Sequence, residues 1–392
     1  MNKIYEDSLK LHKDLKGKIS TELKAPLKTK EDLSLMYSPG VAQACKEIAK
    51  DKSQVYDYTW KSNVVAVVSN GTAVLGLGNI GPEASLPVME GKCALFKSFA
   101  GVNAVPLVIE ATEVDDVVNF VKQVAPTFGG INLEDISAPK CVEIERRLKK
   151  ELDIPVFHDD QHGTAIVTLA GLINALKLVN KKPEDCTAVV SGVGAAGSSI
   201  INIIKKYGIA NIYAFNSKGL VRRKNIDSYN ELTREIALIT NKDDEEMTFE
   251  DAMKKADIFI GVSVADKVTE EMVRSMKKDP IIFAMANPDP EIAYDLAKKA
   301  GARVVGTGRS DYPNQVNNVL AFPGLFKGAL SVRASQINEE MKLAAAEAIA
   351  SLVADEDLSD EYVIPSPFDP RVAEIVAKKV AEKALEMGVI NK

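Results

Sequence analysis

The chain has 392 residues, of which 46% are hydrophobic and 27% charged, with a net charge of 49 − 55 = −6. This is the composition of a soluble globular protein with room for about two to three domains, and it excludes disordered and fibrous classes. The acidic balance argues against a nucleic-acid partner. No apolar run reaches the roughly 18 to 20 residues of a spanning helix and no secretory leader pattern is present, so no membrane association and a cytoplasmic location are expected.

The pattern alternates short apolar runs with amphipathic helical stretches, which predicts an α/β fold. Strands are expected at 64–68, 73–77, 105–109 and 130–133, and helices at 82–99, 114–124 and 140–152. Residues 154–160 read as one more strand running into a polar turn. A long apolar helix over 164–179 follows and is suited to bridging two domains. After Lys181-Lys182-Pro183 the pattern restarts with a strand at 187–191, a helix at 195–207 and a strand at 211–215. Later strands are expected at 258–262, 281–285 and 303–305, and helices at 334–353 and 372–387. The domain boundary is placed near residue 160, giving units 1–160 and 161–392. Cys45, Cys93, Cys141 and Cys186 are widely spaced, and the only histidines are His12, His158 and His162. They make no zinc pattern, so the cysteines read as reduced thiols.

Two glycine-rich segments fit GxGxxG. Gly192-Val193-Gly194-Ala195-Ala196-Gly197 lies between an expected strand and helix, with a second strand following. There Gly192 permits the tight turn, Gly194 lets the backbone approach a pyrophosphate, and Gly197 allows close helix–strand packing. The helix N-terminus adds unpaired N–H groups for the phosphates. The other segment, Gly76-Leu77-Gly78-Asn79-Ile80-Gly81, competes on pattern alone. It reads as a dinucleotide loop, a border to a small anion, or a tight turn.

Acidic pairs stand at two expected strand ends: Glu134-Asp135, and Asp159-Asp160 within His158-Asp159-Asp160-Gln161-His162. Ligands of α/β sheets bind at the carboxyl ends of strands. Acids converging there repel one another unless a cation lies between them, and an all-oxygen set suits Mg²⁺ or Mn²⁺. They are otherwise solvated loop acids or helix caps. Tyr37, ahead of Ser38-Pro39-Gly40, is a phenol at a rigid turn. Lys92, on an apolar helix, either snorkels to solvent or is held against an anion. Asn287, in Asn287-Pro288-Asp289-Pro290, and Asn318, before Phe322-Pro323-Gly324, suit hydrogen bonding to a carboxylate or carboxamide, although Asn before Pro is also ordinary turn chemistry.

Taken in order, these segments resemble the malic enzymes of the short bacterial and archaeal type. The resemblance rests on Tyr37–Val41, Gly71–Gly81, Met89–Lys92, Asn132–Pro139, Val156–Ala165, Gly192–Gly197, Asn287-Pro288 and Asn317–Gly324, and covers nearly the whole chain. It implies oxidative decarboxylation of L-malate to pyruvate and CO₂ with reduction of NAD⁺ or NADP⁺. It further implies an N-terminal substrate and metal domain, a Rossmann-like NAD(P)-binding domain with C-terminal helices, and a homodimer. Carried over by matching position, Glu134, Asp135 and Asp160 are metal ligands, Lys92 is the general base and a substrate contact, and Tyr37 is the general acid. Asp159 is a partner near Lys92, and Asn287 and Asn318 bind malate. Burial is expected to lower the Lys92 pKa so that it can take a proton. Larger members carry an arginine for a malate carboxylate where Ala73 stands here. At the end of the second strand of the dinucleotide unit, many relatives carry aspartate where this chain has Asn216. Asn216, Ser217 and Lys218, with Arg222 and Arg223 nearby, lean the cofactor expectation toward NADP⁺ over NAD⁺.

Overall fold

The computed structural model describes residues 3–74 and 76–391. Ten strands form two sheets. The first contains β1 (Val64–Ser69), β2 (Asn103–Val108), β3 (Gly130–Leu133) and β4 (Val156–His158), in the order β2-β1-β3-β4 and all parallel. The second contains β5 (Thr187–Ser191), β6 (Asn211–Asn216), β7 (Gly219–Leu220), β8 (Ile258–Gly261), β9 (Ile281–Ala284) and β10 (Val304–Thr307). Its order is β10-β9-β8-β5-β6-β7, parallel except for the short β6–β7 pair. The chain is therefore α/β with two largely parallel sheets, as the alternating pattern predicts.

Strand β1 shows why the sequence folds this way. Its run Val64-Val65-Ala66-Val67-Val68 is buried on both faces, which is the condition of a parallel strand covered by helices on either side. Val64, Ala66 and Val68 meet a core closed by the helices Val114–Val124 and Lys140–Glu151. Val65 and Val67 face a second core that continues without a break to Val190, Ile258 and Ile281 of the other sheet. The two sheets thus share one core. The helix Asp159–Leu178 is buried along most of its length and runs through it.

The C-terminal segments close the molecule. Helices Phe322–Ser331 and Arg371–Glu386 cross closely, because a Cβ on Gly324 or Gly328 would run into the backbone of Ala373 or Ala377. Phe322 and Phe326 stack edge-on against Phe96 of the helix Pro82–Ala100, with centroids 4.7 and 5.4 Å apart.

Three expectations need correction. Leu75 lies outside the described residues; among the described residues of 73–77 no strand forms, and Val74 pairs with Gly78 across a turn. Positive φ at Gly71, Gly76 and Gly78 is incompatible with an extended run. The strand expected over 154–160 stops at His158, and Asp159 already opens the following helix. The helix expected from 334 starts at Glu339, because the Asn338 side chain caps it by accepting from the Met341 N–H at 3.0 Å.

Candidate active site

Glu134 and Asp135 follow β3 directly, and Asp159 and Asp160 begin the helix after β4. Since β3 and β4 are neighbours in register, with Leu133 opposite His158, both acidic pairs arrive at the same sheet edge. One carboxylate oxygen from each of Glu134, Asp135 and Asp160 lies within 4.8 Å of the others. Asp135 adopts a positive φ of 53°, and its N–H donates to Asp160 Oδ2 at 2.8 Å, which locks the two loops together. Glu134 Oε2 accepts from Asn132 Nδ2 at 2.8 Å.

Lys92 projects from the helix Pro82–Ala100 into this cluster. Its Nζ lies 2.7 Å from Asp159 Oδ2 and 3.0 Å from Glu134 Oε1, and 4.4 Å from the centroid of the Phe322 ring. It is buried and held against anions, so the snorkelling alternative is excluded. The expected lowering of its pKa is also corrected. Burial works against its charge, but Asp159 and Glu134 outweigh that and raise the pKa above the ordinary lysine value. Burial pushes Asp159 up to about 7 against the pull of Lys92. Burial, and then Asp160 and Glu134 beside it, raise Asp135; burial also raises Asp160, against the pull of Lys92.

This is a site short of positive charge. Asp135 Oδ2 and Asp159 Oδ1 are buried with no hydrogen-bond partner among the described residues. An oxygen-only set of converging, incompletely paired carboxylates fits a hard divalent cation. Among the described residues the set holds no histidine, although His158 Nδ1 lies 3.8 Å from Asp160 Oδ2. His162 instead bonds Glu145 at 2.8 Å through Nε2, while Lys342 sits 3.1 Å from its Nδ1.

Asn318 borders the same space, since a Cβ on Gly163 would meet both Asp159 and Asn318. Asn317 is spent on a turn, its Oδ1 accepting from the Val319 N–H. The Gly71–Gly81 loop forms another wall. Ala73 N–H donates to the Asp135 carbonyl at 3.0 Å and Thr72 Oγ1 accepts from Ser137 N–H at 3.0 Å. At its far side, the direction a Gly76 Cβ would take points to Asn287 Oδ1 at 3.9 Å. The loop joins the end of β1 at Ser69 to the helix Pro82–Ala100, and its bonds to Asp135 and Ser137 set it beside the acidic site. Tyr37 is not brought to Lys92. It caps the helix Lys30–Met36, is 69% exposed, and its hydroxyl makes no hydrogen bond among the described residues.

A second concavity of about 400 Å³ opens at the carboxyl end of β5, lined by Gly192, Val193, Gly194, Asn216, Ser217 and Lys218. Each glycine does what the motif requires. Gly192 has φ 104°, Gly194 faces open space, and a Cβ on Gly197 would overlap the Gly192 carbonyl. Ala195 and Ala196 form the first turn of the helix Ala195–Tyr207. The structure adds Ser228, Tyr229, Ser263 and Lys267 to the lining. They follow unremarkable stretches of sequence, and only the fold brings them together. Arg222 and Arg223 point elsewhere: Arg222 pairs with Glu246 at 2.5 Å, and the Arg223 guanidinium donates to the Asn241 and Lys242 carbonyls.

Two family descriptions match, the N-terminal domain of malic enzyme over residues 16–149 and the malic enzyme NAD-binding domain over residues 161–385. The chain belongs to the malic enzyme family. It is 60% identical over 384 residues to the bifunctional malic/malolactic enzyme of Bacillus subtilis, covering 98% of this chain and 94% of that one. It is 55% identical to the NAD-dependent malic enzyme of Geobacillus stearothermophilus, covering 96% and 78%. Identity to the NADP-dependent malic enzyme of Rhizobium meliloti is 49%, over 96% of this chain and 51% of that longer one. The crystal structure of malic enzyme from Pyrococcus horikoshii superposes with a TM-score of 0.95 at 47% identity, covering 99% and 92%. The malic enzyme fold here therefore joins an acidic, lysine-centred site to an NAD(P)-binding domain. Among the described residues no helix is long and apolar enough to cross a membrane.

Proposed function

We propose that the chain converts L-malate to pyruvate and CO₂ while reducing NAD⁺ or NADP⁺, with the acidic cluster as a Mg²⁺ or Mn²⁺ site. The observation that carries this is the placement of Lys92, 3.0 Å from Glu134 of the cation set and 2.7 Å from Asp159. Glu134, Asp135 and Asp160 are the residues that would hold the metal. When bound there, a cation would supply Lewis-acid polarisation of substrate oxygens. Lys92 first passes a proton to Asp159, 2.7 Å away, and the amine so formed takes the malate hydroxyl proton. Asn287 and Asn318 orient malate by hydrogen bonds, and Tyr37 delivers the proton to C3 of enolpyruvate. The division near residue 160 separates the substrate and metal unit from the NAD(P)-binding unit.

A homodimer supports the Tyr37 role. The helices Lys3–Leu15, Lys30–Met36 and Val41–Lys50 bury no residue. Leu9, Leu15, Leu23, Leu35 and Tyr37 are exposed together on these N-terminal segments. Apolar surface gathered in this way marks a protein interface. Across a homodimer Tyr37 completes the partner's site.

We lean to NADP⁺ as the preferred cofactor. Asn216 brings no charge to repel a 2′-phosphate, and its Oδ1 is turned back onto the Lys218 N–H at 2.8 Å. Lys218 and Lys267 line the groove rim and supply the cations that Arg222 and Arg223 do not. Malate with Mn²⁺ and either cofactor should yield reduced nucleotide and CO₂ in equal amounts, with kcat/KM favouring NADP⁺. Nucleotide reduction without CO₂ would replace this reading with another hydroxy-acid dehydrogenase. A tenfold preference for NAD⁺ would reject the NADP⁺ assignment alone, and Asn216→Asp should shift the ratio toward NAD⁺.

A further inference from the structure

We infer that Glu291 is a positioning residue that fixes the cofactor groove relative to Asn287. The inference rests on the dinucleotide groove assigned above. Glu291 is fully buried, and among the described residues no cation pairs with it. Its charge is met by two loops instead. Oε1 accepts from the Ser263 N–H at 2.7 Å and the Ser263 hydroxyl at 3.3 Å, in the loop after β8. Oε2 accepts from the Ala286 N–H at 3.0 Å, immediately before Asn287 in the loop after β9. The Ser263 hydroxyl also lies 2.9 Å from the Ser191 hydroxyl, at the last residue of β5 before Gly192. One carboxylate thus ties together the strand ends of β5, β8 and β9. The main chain reinforces the tie, because Val268 N–H donates to the Glu291 carbonyl at 2.9 Å.

The surroundings are shaped for this carboxylate. Gly261 ends β8, and a Cβ there would overlap the Glu291 carboxyl group. Burial raises the Glu291 pKa while the Ser263 and Ala286 amides hold it down. Both oxygens face N–H donors, so two acceptors are needed. A carboxamide offers only one and would set its NH₂ against a backbone N–H. Glutamine is therefore no substitute, despite its matching shape. A buried acceptor shared by two backbone amides holds loop geometry more tightly than side-chain packing does, and a site loosened by about 1 Å loses cofactor alignment.

The test separates cofactor positioning from general destabilisation. Glu291→Gln should weaken NADP⁺ and NAD⁺ binding about tenfold or more, read by direct titration. Mn²⁺ affinity at Glu134, Asp135 and Asp160, which lie at the other sheet, should stay within about twofold by direct titration. Gly261→Ala, which displaces the carboxyl group from the other side, should reproduce the pattern. Should Glu291→Gln fail to fold, Glu291→Asp keeps the charge but is one methylene too short to reach both loops, and the same split is expected. Unchanged cofactor binding in these variants, or equal loss of both readouts, would overturn the inference. Wild-type protein that binds neither cofactor would instead overturn the groove assignment, and this inference with it.

Discussion

Lys92 is enclosed by two carboxylates, whereas Tyr37 stands open to solvent, and this difference makes the proton-transfer roles separable. Lys92→Ala should block hydride transfer from malate by about 10²-fold or more, yet leave metal-dependent decarboxylation of oxaloacetate partly intact, because that step starts from the ketone. Tyr37→Phe should instead slow protonation of enolpyruvate, measured as the rate of enzyme-catalysed deuterium exchange from D₂O into C3 of pyruvate. Equal loss of both partial reactions in both variants would show a single relay. The residues are singled out by the family resemblance; on pattern alone the carboxylates read equally as solvated loop acids or helix caps, and Lys92 as a snorkelling side chain. The charge state of Lys92 is not legible in sequence. It depends on Asp159, 67 positions away, and on Glu134 meeting at one point, and no local pattern encodes that meeting.

At the scale of elements, the strand–turn–helix around Gly192–Gly197 makes two glycines do different work. Gly194 faces open space, so Gly194→Ala should keep the melting temperature within about 2 °C while cofactor affinity falls at least about tenfold. Gly197 lies against the Gly192 carbonyl, so Gly197→Ala should cost about 1 to 3 kcal/mol of stability as well as cofactor binding. Thermal unfolding and cofactor titration of the two variants check this, and identical behaviour would contradict the division of roles. Elements with a strong period were read almost to the residue, as with the helix Val114–Val124 and the strand Thr187–Ser191. The strand expected at 73–77 failed because its apolar residues sit among glycines whose positive φ turns the chain. Hydrophobicity there reported a loop packed beside the acidic site. The helix expected from 334 began late because capping by Asn338, not apolar content, fixes its start.

Across the whole molecule, the shared core and the unburied N-terminal helices were the parts the sequence concealed. Burial of a helix face against another sheet, or against another chain, depends on assembly and not on period. If Tyr37 serves the partner's site, mixing inactive Tyr37→Phe and Lys92→Ala chains should restore activity, because one site of each mixed dimer carries both intact residues. About a quarter of wild-type activity is expected from statistical mixing, since half the dimers are mixed and each has one complete site. No recovery after confirmed chain exchange would place Tyr37 in its own subunit's site.

The proposed activity depends most on Glu134, Asp135 and Asp160 forming one cation site beside Lys92. Its most direct test is a Mn²⁺ titration of malate-dependent NADPH and CO₂ formation by wild-type protein and Asp160→Ala, with NADP⁺ binding measured alongside. The wild type should require the metal, and the variant should lose about 10³-fold in turnover while binding NADP⁺ normally. Metal-dependent turnover within tenfold of wild type in Asp160→Ala would contradict the assignment.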